Sequence, residues 1–223
     1  MIVLGIDGAL GAFSAAVAVD GSVRAAAALT GNVALESGLD AVSGAMRDAG
    51  IVPAQLDRLA VGRGPGGFTG LRIAVSYAKS LAQAWRRPLV AIDSFDLLEY
   101  GSERRRVLTV VVGRPGVVSA RLREGNRTQR ASGWAADVVQ ALAGALRRAQ
   151  EEAGEPLPVV GAPKDVLCAL AERAIVVSPV VPLVTPAASA AALAAATLQP
   201  AASVHAVRAD YGELPAARVP RLK

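Results

Sequence analysis

Gly62-Arg63-Gly64-Pro65-Gly66-Gly67-Phe68-Thr69-Gly70-Leu71-Arg72 is the stretch that decides the fold, and five of its eleven residues are glycine. It follows a short apolar strand and precedes a long apolar segment, which we predict as a helix from about Thr69 to Trp85. We expect Thr69 to cap this helix. Because glycine allows unusual dihedrals and close approaches, such a turn suits either a bound anion or a closely packed neighbour.

The helix after this turn is unusually apolar. Its polar residues form one stripe, and the rest form an apolar arc of roughly 200°, where a surface helix needs about 100°. The helix is therefore either internal to its own domain or buries a second face against another chain. Small residues such as Ala78 and Ala82 would permit tight helix packing. The turn itself lacks the Gly-Lys-Ser/Thr of a P-loop.

The order of predicted elements repeats in the two halves of the chain. A three-strand meander begins at Ile2, and a helix from Leu35 to Ala49, a strand and the apolar helix follow. The second half repeats this order, with a strand predicted at 127–130, a helix at 133–152, a strand at 175–177 and a helix at 187–198. We predict an α/β protein with lobes at 1–103 and 104–223. Two similar lobes, each with a mixed sheet and crossover helices, resemble the actin-like ATPase (ribonuclease-H-like) fold.

Composition limits the classes of chemistry. The net charge of +5 and the sequence pI near 10.0 permit an anionic partner. Cys168 is the single cysteine, so no internal disulfide can form, and its alanine- and leucine-rich surroundings favour a buried, inert thiol. His205 is the single histidine, which excludes a two-histidine metal site, and we expect no metal. We expect no signal peptide, because the first residues lack a basic region and reach Asp7 early, and prolines interrupt the apolar stretch 175–198. We therefore expect a cytoplasmic protein without a membrane segment.

Two groups of polar residues are candidates for binding. Asp7 ends the first strand, where actin-like kinases hold a metal-water cluster, but an aspartate that merely caps the next turn fits the pattern as well. The nucleotide relic that we consider comprises Asp7, Ser14, Gly64, Gly66 and Gly67. A second group consists of arginines. Arg121 and Arg123 project from one face of a strand, near Arg127 and Arg130, and form either a solvated sheet face or a phosphate-tracking patch.

The stretch Gly64 to Arg72 resembles the bacterial TsaB family, whose pattern there is Gly-Pro-Gly-Ser-Phe-Thr-Gly-Leu/Val-Arg. Only Gly67 departs from it, where the family has serine. Members of that family are the dimerisation subunits of the complex that makes threonylcarbamoyladenosine beside the anticodon of tRNAs. The second half matches less well: of the family's Asp-Ala-Arg-x-Gly-Glu-Val-Tyr stretch it keeps only Arg114, Gly116 and Val118.

The resemblance implies a non-catalytic scaffold that binds a TsaD-like catalytic subunit through its first two helices. A TsaE-like ATPase would join the same complex, and tRNA would be contacted indirectly. No cofactor is implied, although ATP or ADP at the partner interface and a homodimer through the same helices stay open. The predicted interface residues are Leu39, Val42, Met46, Phe68, Thr69, Leu71, Arg72, Val75, Ala78, Lys79 and Ala82. Two alternatives are a small ATP-dependent kinase that uses Asp7 and a tRNA-binding module that uses the arginine-rich sheet.

Overall fold

The computed structural model describes residues 1–29 and 34–212. The side chain of Leu35, in the first predicted docking helix, and residues 213–223, at the end of the predicted second lobe, lie outside the described residues. The chain forms two five-stranded sheets. The elements of the first half are β1 (Ile2–Asp7), β2 (Ser14–Val19), β3 (Ser22–Ala28), α1 (Ala34–Asp48), β4 (Arg58–Gly62), α2 (Phe68–Trp85), β5 (Leu89–Ile92) and α3 (Ser94–Leu98).

The second half repeats this architecture. Its elements are β6 (Arg106–Arg114), β7 (Val117–Glu124), β8 (Arg127–Trp134), α4 (Ala135–Ala153), β9 (Leu157–Val160), α5 (Lys164–Ala171), β10 (Val177–Val180) and α6 (Ala187–Ala194). The strand orders, β3-β2-β1-β4-β5 and β8-β7-β6-β9-β10, are the same. In each sheet an antiparallel meander is extended by two parallel strands. The predicted α/β fold with two similar lobes is confirmed.

Apolar side chains form a core on each sheet. One face of the first sheet packs against α1 and α2, and the second sheet packs against α4 and α5. Val42, Met46 and Leu71, which the hydrophobic spacing placed on the apolar faces of the helices, are buried against the sheet of their own lobe.

Helix α6 crosses back to the first lobe. It packs on the face of the first sheet opposite α1 and α2, although we assigned all residues after 103 to the second lobe. The approach is close, because a Cβ at Gly5 would lie 2.1 Å from the carbonyl oxygen of Ala188. The Ala188 N–H also donates to the Ser14 hydroxyl at 3.3 Å. The small side chains of α6 and the absence of a side chain at Gly5 allow this helix to pack closely on the first sheet. The domain boundary near residue 104 stays a prediction.

Three local predictions were wrong. Helix α2 begins at Phe68 with Gly67 in the N-cap position, so Thr69 lies in the first turn and does not cap it. The strand predicted at 175–177 begins at Val177 and continues to Val180, because Ile175 is buried in the core beside α5. Cys168 is exposed, since α5 turns its other face to the core.

Candidate functional site

The two glycine-rich turns of the first lobe pack directly against each other. The Gly67 N–H donates to the carbonyl oxygen of Ala9 at 2.9 Å. A Cβ on Gly8 would lie 2.4 Å from the carbonyl oxygen of Gly70, and one on Gly66 would lie 2.2 Å from that of Ala9. These distances are too short for any side chain, so the glycines serve backbone-to-backbone packing. Of the two alternatives for this stretch, the closely packed neighbour is the one found.

Gly67, the position that departs from the resembled pattern, is different. A Cβ built there meets only the carbonyl oxygen of Ala9, at 3.8 Å, which is an ordinary van der Waals contact. Serine would therefore fit at this position, and the departure leaves the turn intact. Gly64 lies against the end of the described chain, where its Cβ would be 2.1 Å from the carbonyl oxygen of Asp210. The Asp210 N–H donates to the carbonyl oxygen of Arg63 at 2.7 Å.

Asp7 is fully buried beneath these turns. Its Oδ1 accepts a hydrogen bond from the Leu10 N–H at 3.0 Å, so the aspartate caps the turn after β1. Its Oδ2 has no hydrogen-bond partner among residues 1–29 and 34–212, and a Cβ on Gly62 would overlap it at 1.9 Å. Burial raises the pKa of this carboxyl to about 6, although backbone hydrogen bonds from Leu10 and Ala9 lower it.

A cleft of about 990 Å³ separates the two lobes. One wall is formed by the turns at 8–11 and 67–70, and the other by the end of β6 and the turn after it. Glu36 and Arg114 are the charged residues that line it, beside apolar side chains and glycine backbone. Of the proposed nucleotide relic, Gly67 lines this cleft, whereas Asp7 and Ser14 are buried beneath it and Ser14 binds the start of α6. Asp7 and Ser14 are opposite each other in the pairing of β1 with β2, and Gly66 and Gly67 pack against Ala9. A nucleotide site in this region stays a prediction.

The predicted interface residues fall into two groups. Six are buried in the core of the chain itself: Val42, Met46, Leu71, Val75, Ala78 and Ala82. Leu39, Phe68, Thr69 and Arg72 are exposed, and Lys79 is half-buried. The broad apolar arc of α2 is therefore largely explained by the protein's own core. Ile73, Tyr77, Leu81 and Trp85 pack against the same cluster.

The exposed residues at the start of α2 form an ordered aromatic group. Phe68 is 55% exposed, and its ring lies 5.1 Å from that of Tyr211 and 5.2 Å from the Arg72 guanidinium. Farther along the helix, the Lys79 ammonium donates to the carbonyl oxygen of Val207 at 3.1 Å. We call Phe68, Arg72 and Tyr211 the aromatic cluster. Sequence reasoning did not connect Tyr211 with Phe68, because no local pattern links residues so far apart.

The arginines of β7 are not a solvated face. Arg121 is buried, and its guanidinium bonds Asp96 at 2.6 Å and Glu99 at 2.9 Å. Arg123 is paired with Glu99 at 2.6 Å, and the Thr109 hydroxyl donates to the same carboxylate at 2.5 Å. Burial lowers the pKa of Arg121, but the bonds to Glu99 and then Asp96 outweigh it and hold the pKa above its ordinary value. Both earlier interpretations of Arg121 and Arg123 were wrong, because α3 and Glu99 cover this part of the sheet.

A metal site and a membrane-spanning helix were searched for among the described residues. No group of three or more His, Cys, Asp or Glu side chains is arranged to hold a metal ion within 1–29 and 34–212. None of the helices in the described part of the chain combines the length and the apolar character needed to cross a membrane.

Comparison with known proteins gives consistent matches. The family model described as TsaD, tRNA N6-adenosine threonylcarbamoyltransferase, matches residues 35–207. The tRNA threonylcarbamoyladenosine biosynthesis protein TsaB of Escherichia coli K12 is 33% identical over 122 residues, which are 53% of this chain and 53% of that protein. TsaB of Bacillus subtilis is 37% identical over 60 residues, 27% of this chain and 26% of the relative. The chain thus spans about half the length, or less, of these curated relatives.

Solved structures agree on the fold. YeaZ from Pseudomonas aeruginosa superposes with a TM-score of 0.69 at 20% identity, and the match covers 94% of this chain and all of that one. The ethanolamine utilization protein EutJ from Carboxydothermus hydrogenoformans gives a TM-score of 0.52 at 14% identity, over 86% of this chain and 89% of that one. Together with the two matching sheets, these similarities confirm the two-lobed actin-like fold.

Proposed function

The chain belongs to the tRNA N6-adenosine threonylcarbamoyltransferase family, and we propose that within it this protein is a non-catalytic scaffold. It would bind and activate a TsaD-like catalytic subunit in the complex that makes N6-threonylcarbamoyladenosine beside the anticodon of tRNA. The relatives named TsaB support this role, because their names assign them to biosynthesis of the same modification.

The aromatic cluster is the observation that carries the proposal. Phe68 exposes more than half of its surface, yet the Tyr211 ring and the Arg72 guanidinium hold it in place. Aromatic and arginine side chains dominate the binding energy of protein interfaces, and an anchor that is already ordered loses less entropy on binding. Leu39 on α1 is a second large apolar side chain that is exposed, at 46%. The proposed interface therefore keeps Leu39, Phe68, Thr69 and Arg72, with Lys79 at its edge.

The closed turns support a role without catalysis. At the N-cap of α2 the Gly67 N–H is bonded to the carbonyl oxygen of Ala9, so this donor is not available to an anion. The glycines around it are filled by the neighbouring turn rather than held open for a ligand. A scaffold of this kind acts by making better contacts with one conformation of its partner, which shifts the partner's equilibrium toward that conformation.

The proposal also covers other partners, location and nucleotide. A TsaE-like ATPase would join the assembly through the catalytic subunit, and tRNA modification would take place in the cytoplasm. In the absence of the partner, a second copy of this chain would bind the exposed residues of α1 and α2. ATP or ADP, where present, would lie at the interface with the partner and not beside Asp7.

Size-exclusion chromatography with the cognate TsaD-like subunit tests the proposal, together with threonylcarbamoyl transfer to unmodified tRNA. We expect co-elution, and transfer that depends on this chain. Phe68→Ala should weaken the complex by about 30-fold, the loss typical of an interface hot spot. Leu183→Ala is the matched control, because Leu183 is 66% exposed and lies away from α1 and α2. Separate elution of the two chains, with transfer unchanged by this chain, would refute the scaffold role.

One observation favours the alternative function, a small ATP-dependent kinase. The unpartnered Oδ2 of Asp7 is a buried oxygen without a hydrogen bond from the described residues. A kinase would bind Mg-ATP, and thermal shift of the isolated chain should then respond to Mg-ATP in the wild type and not in Asp7→Asn. We expect neither protein to respond.

A further inference from the structure

A concave patch at one end of the second sheet collects arginines from three elements. The pocket has a volume of about 580 Å³. Arg105 directly precedes β6, Arg106 and Arg127 are the first residues of β6 and β8, and Arg148 lies on α4. We call these four residues, with Glu124, Gly125, Asn126, Gln129 and Glu152, the arginine pocket.

The charges of the arginine pocket are unevenly matched. Arg106 is neutralised, because its guanidinium contacts Glu152 at 2.6 Å and Glu124 at 4.0 Å. Arg105, Arg127 and Arg148 are exposed, and their side chains have no ion pair or hydrogen bond with any residue in 1–29 and 34–212. Arg106 contacts both carboxylates of the pocket, and the pocket's four guanidiniums and two carboxylates leave a net charge of +2. The other three guanidiniums have no ion pair within the described residues and can contact an anion.

We infer that the arginine pocket binds phosphate groups of the RNA backbone. Guanidinium groups bond phosphate oxygens in a planar, paired geometry, and neutralising successive phosphates releases counterions. Because the three free arginines come from three elements, they are distributed over a surface, as the phosphates of a polynucleotide are. The amides of Asn126 and Gln129 line the same pocket and can hydrogen-bond ribose hydroxyls.

The position of the pocket is compatible with partner binding. Arg106 begins β6, whereas Val110 to Arg114, at its other end, line the cleft beside Phe68. Since strands rise about 3.3 Å per residue, the cleft lining begins roughly 13 Å from Arg106 along β6 and ends roughly 26 Å from it. RNA could therefore contact this chain while a catalytic subunit occupies α1 and α2. The inference rests on the proposed function for the identity of the RNA, a tRNA, but not for the phosphate chemistry.

Fluorescence anisotropy with labelled, unmodified tRNA and the purified full chain tests the inference. Raising NaCl from 50 to 200 mM should weaken wild-type binding by about 20- to 40-fold if three phosphates are contacted. The triple variant Arg105→Gln/Arg127→Gln/Arg148→Gln should lose at least about tenfold in affinity and most of this salt dependence. Inorganic phosphate at matched ionic strength should not displace the tRNA.

A matched control separates a local site from a general effect of charge. Arg24→Gln/Arg47→Gln/Arg86→Gln removes three exposed arginines from the first lobe and should leave tRNA affinity within about twofold. Equal losses in the two triple variants, or displacement by inorganic phosphate, would overturn the inference. Co-elution of the pocket variant with the catalytic subunit should be unchanged. Failure of wild-type co-elution would instead count against the proposed function alone.

Discussion

Replacement of Arg121 by methionine tests how the two lobes are joined. Arg121 lies on β7 of the second sheet, and its partners Asp96 and Glu99 belong to α3 and the residue that follows it. The guanidinium also lies 5.1 Å from the centre of the Phe95 ring. Methionine keeps an unbranched apolar stem against this ring but removes the charge and both hydrogen bonds. We expect the variant to unfold more easily than the wild type.

The expected loss in the free energy of unfolding depends on the contacts that Asp96 and Glu99 keep after the substitution. A hydrogen bond to a charged group contributes about 1.5–3 kcal/mol. The bond to Asp96 counts for less, about 0–1 kcal/mol, because the Asp96 side chain is 57% exposed. Glu99 is buried, but Arg123 and Thr109 still bond it, so the larger penalty for a lone buried charge does not apply in full. The free energy of unfolding should fall by about 2–3 kcal/mol, which is about 5–10 °C in Tm.

Urea denaturation, followed by circular dichroism, measures this change, and a double variant supplies a sharper criterion. Arg121→Met and Arg123→Met together strip Glu99 of both cations, so their combined effect should exceed the sum of the single effects by at least about 1 kcal/mol. Arg127→Met is the control, because this exposed arginine has no ion pair within the described residues and should change stability by less than about 0.5 kcal/mol. An additive double variant, or an Arg121→Met loss no larger than the control's, would refute the reasoning.

Three further predictions concern the turns and α1. Below about pH 3 Asp7 is protonated in both the folded and the unfolded state, whereas above pH 6 the folded state holds a buried charge. Urea denaturation should therefore show the stability of Asp7→Asn relative to wild type increasing by up to about 3 kcal/mol between pH 3 and pH 7, and parallel pH profiles would contradict it. Gly8→Ala should cost more than about 2 kcal/mol in the same assay, because its Cβ would overlap the Gly70 carbonyl, while Gly44→Ala in α1 should gain about 0.5–1 kcal/mol; equal effects would contradict the packing argument. Gly67→Ser should stay within about 0.5 kcal/mol of wild type in a thermal melt, and a larger loss would show that the position needs glycine.

Local pattern was enough to predict most elements of the fold. Hydrophobic spacing predicted α1 and α2, and the recurrence of meander, helix, strand and helix predicted the two lobes. These features depend on residues close together in sequence, so their periodicity is visible in the chain itself. The end of a strand is less well determined: β8 extends to Trp134, four residues beyond the predicted 127–130, because pairing with β7 continues to Val117.

The side-chain partners could not be predicted, because they come from distant parts of the chain. Arg121 alternates with Arg123 along β7, a pattern that also fits a solvated sheet face. Only the packing of α3 on the second sheet buries Arg121 in an ion pair with Glu99. The same holds for the aromatic cluster, in which Phe68 meets Tyr211. Three free arginines converge in the arginine pocket for a similar reason, since the starts of β6 and β8 and helix α4 meet only in the folded lobe.

The glycine-rich stretch divides in the same way between sequence and structure. The sequence alone determined that Gly62 to Arg72 forms a tight turn that leads into a long apolar helix, because glycine content and hydrophobic spacing are local properties. Only the tertiary structure decided what the glycines approach. Ala9 and Gly8 lie some sixty residues earlier in the chain, and the parallel pairing of β1 with β4 brings the turns that follow these strands into contact.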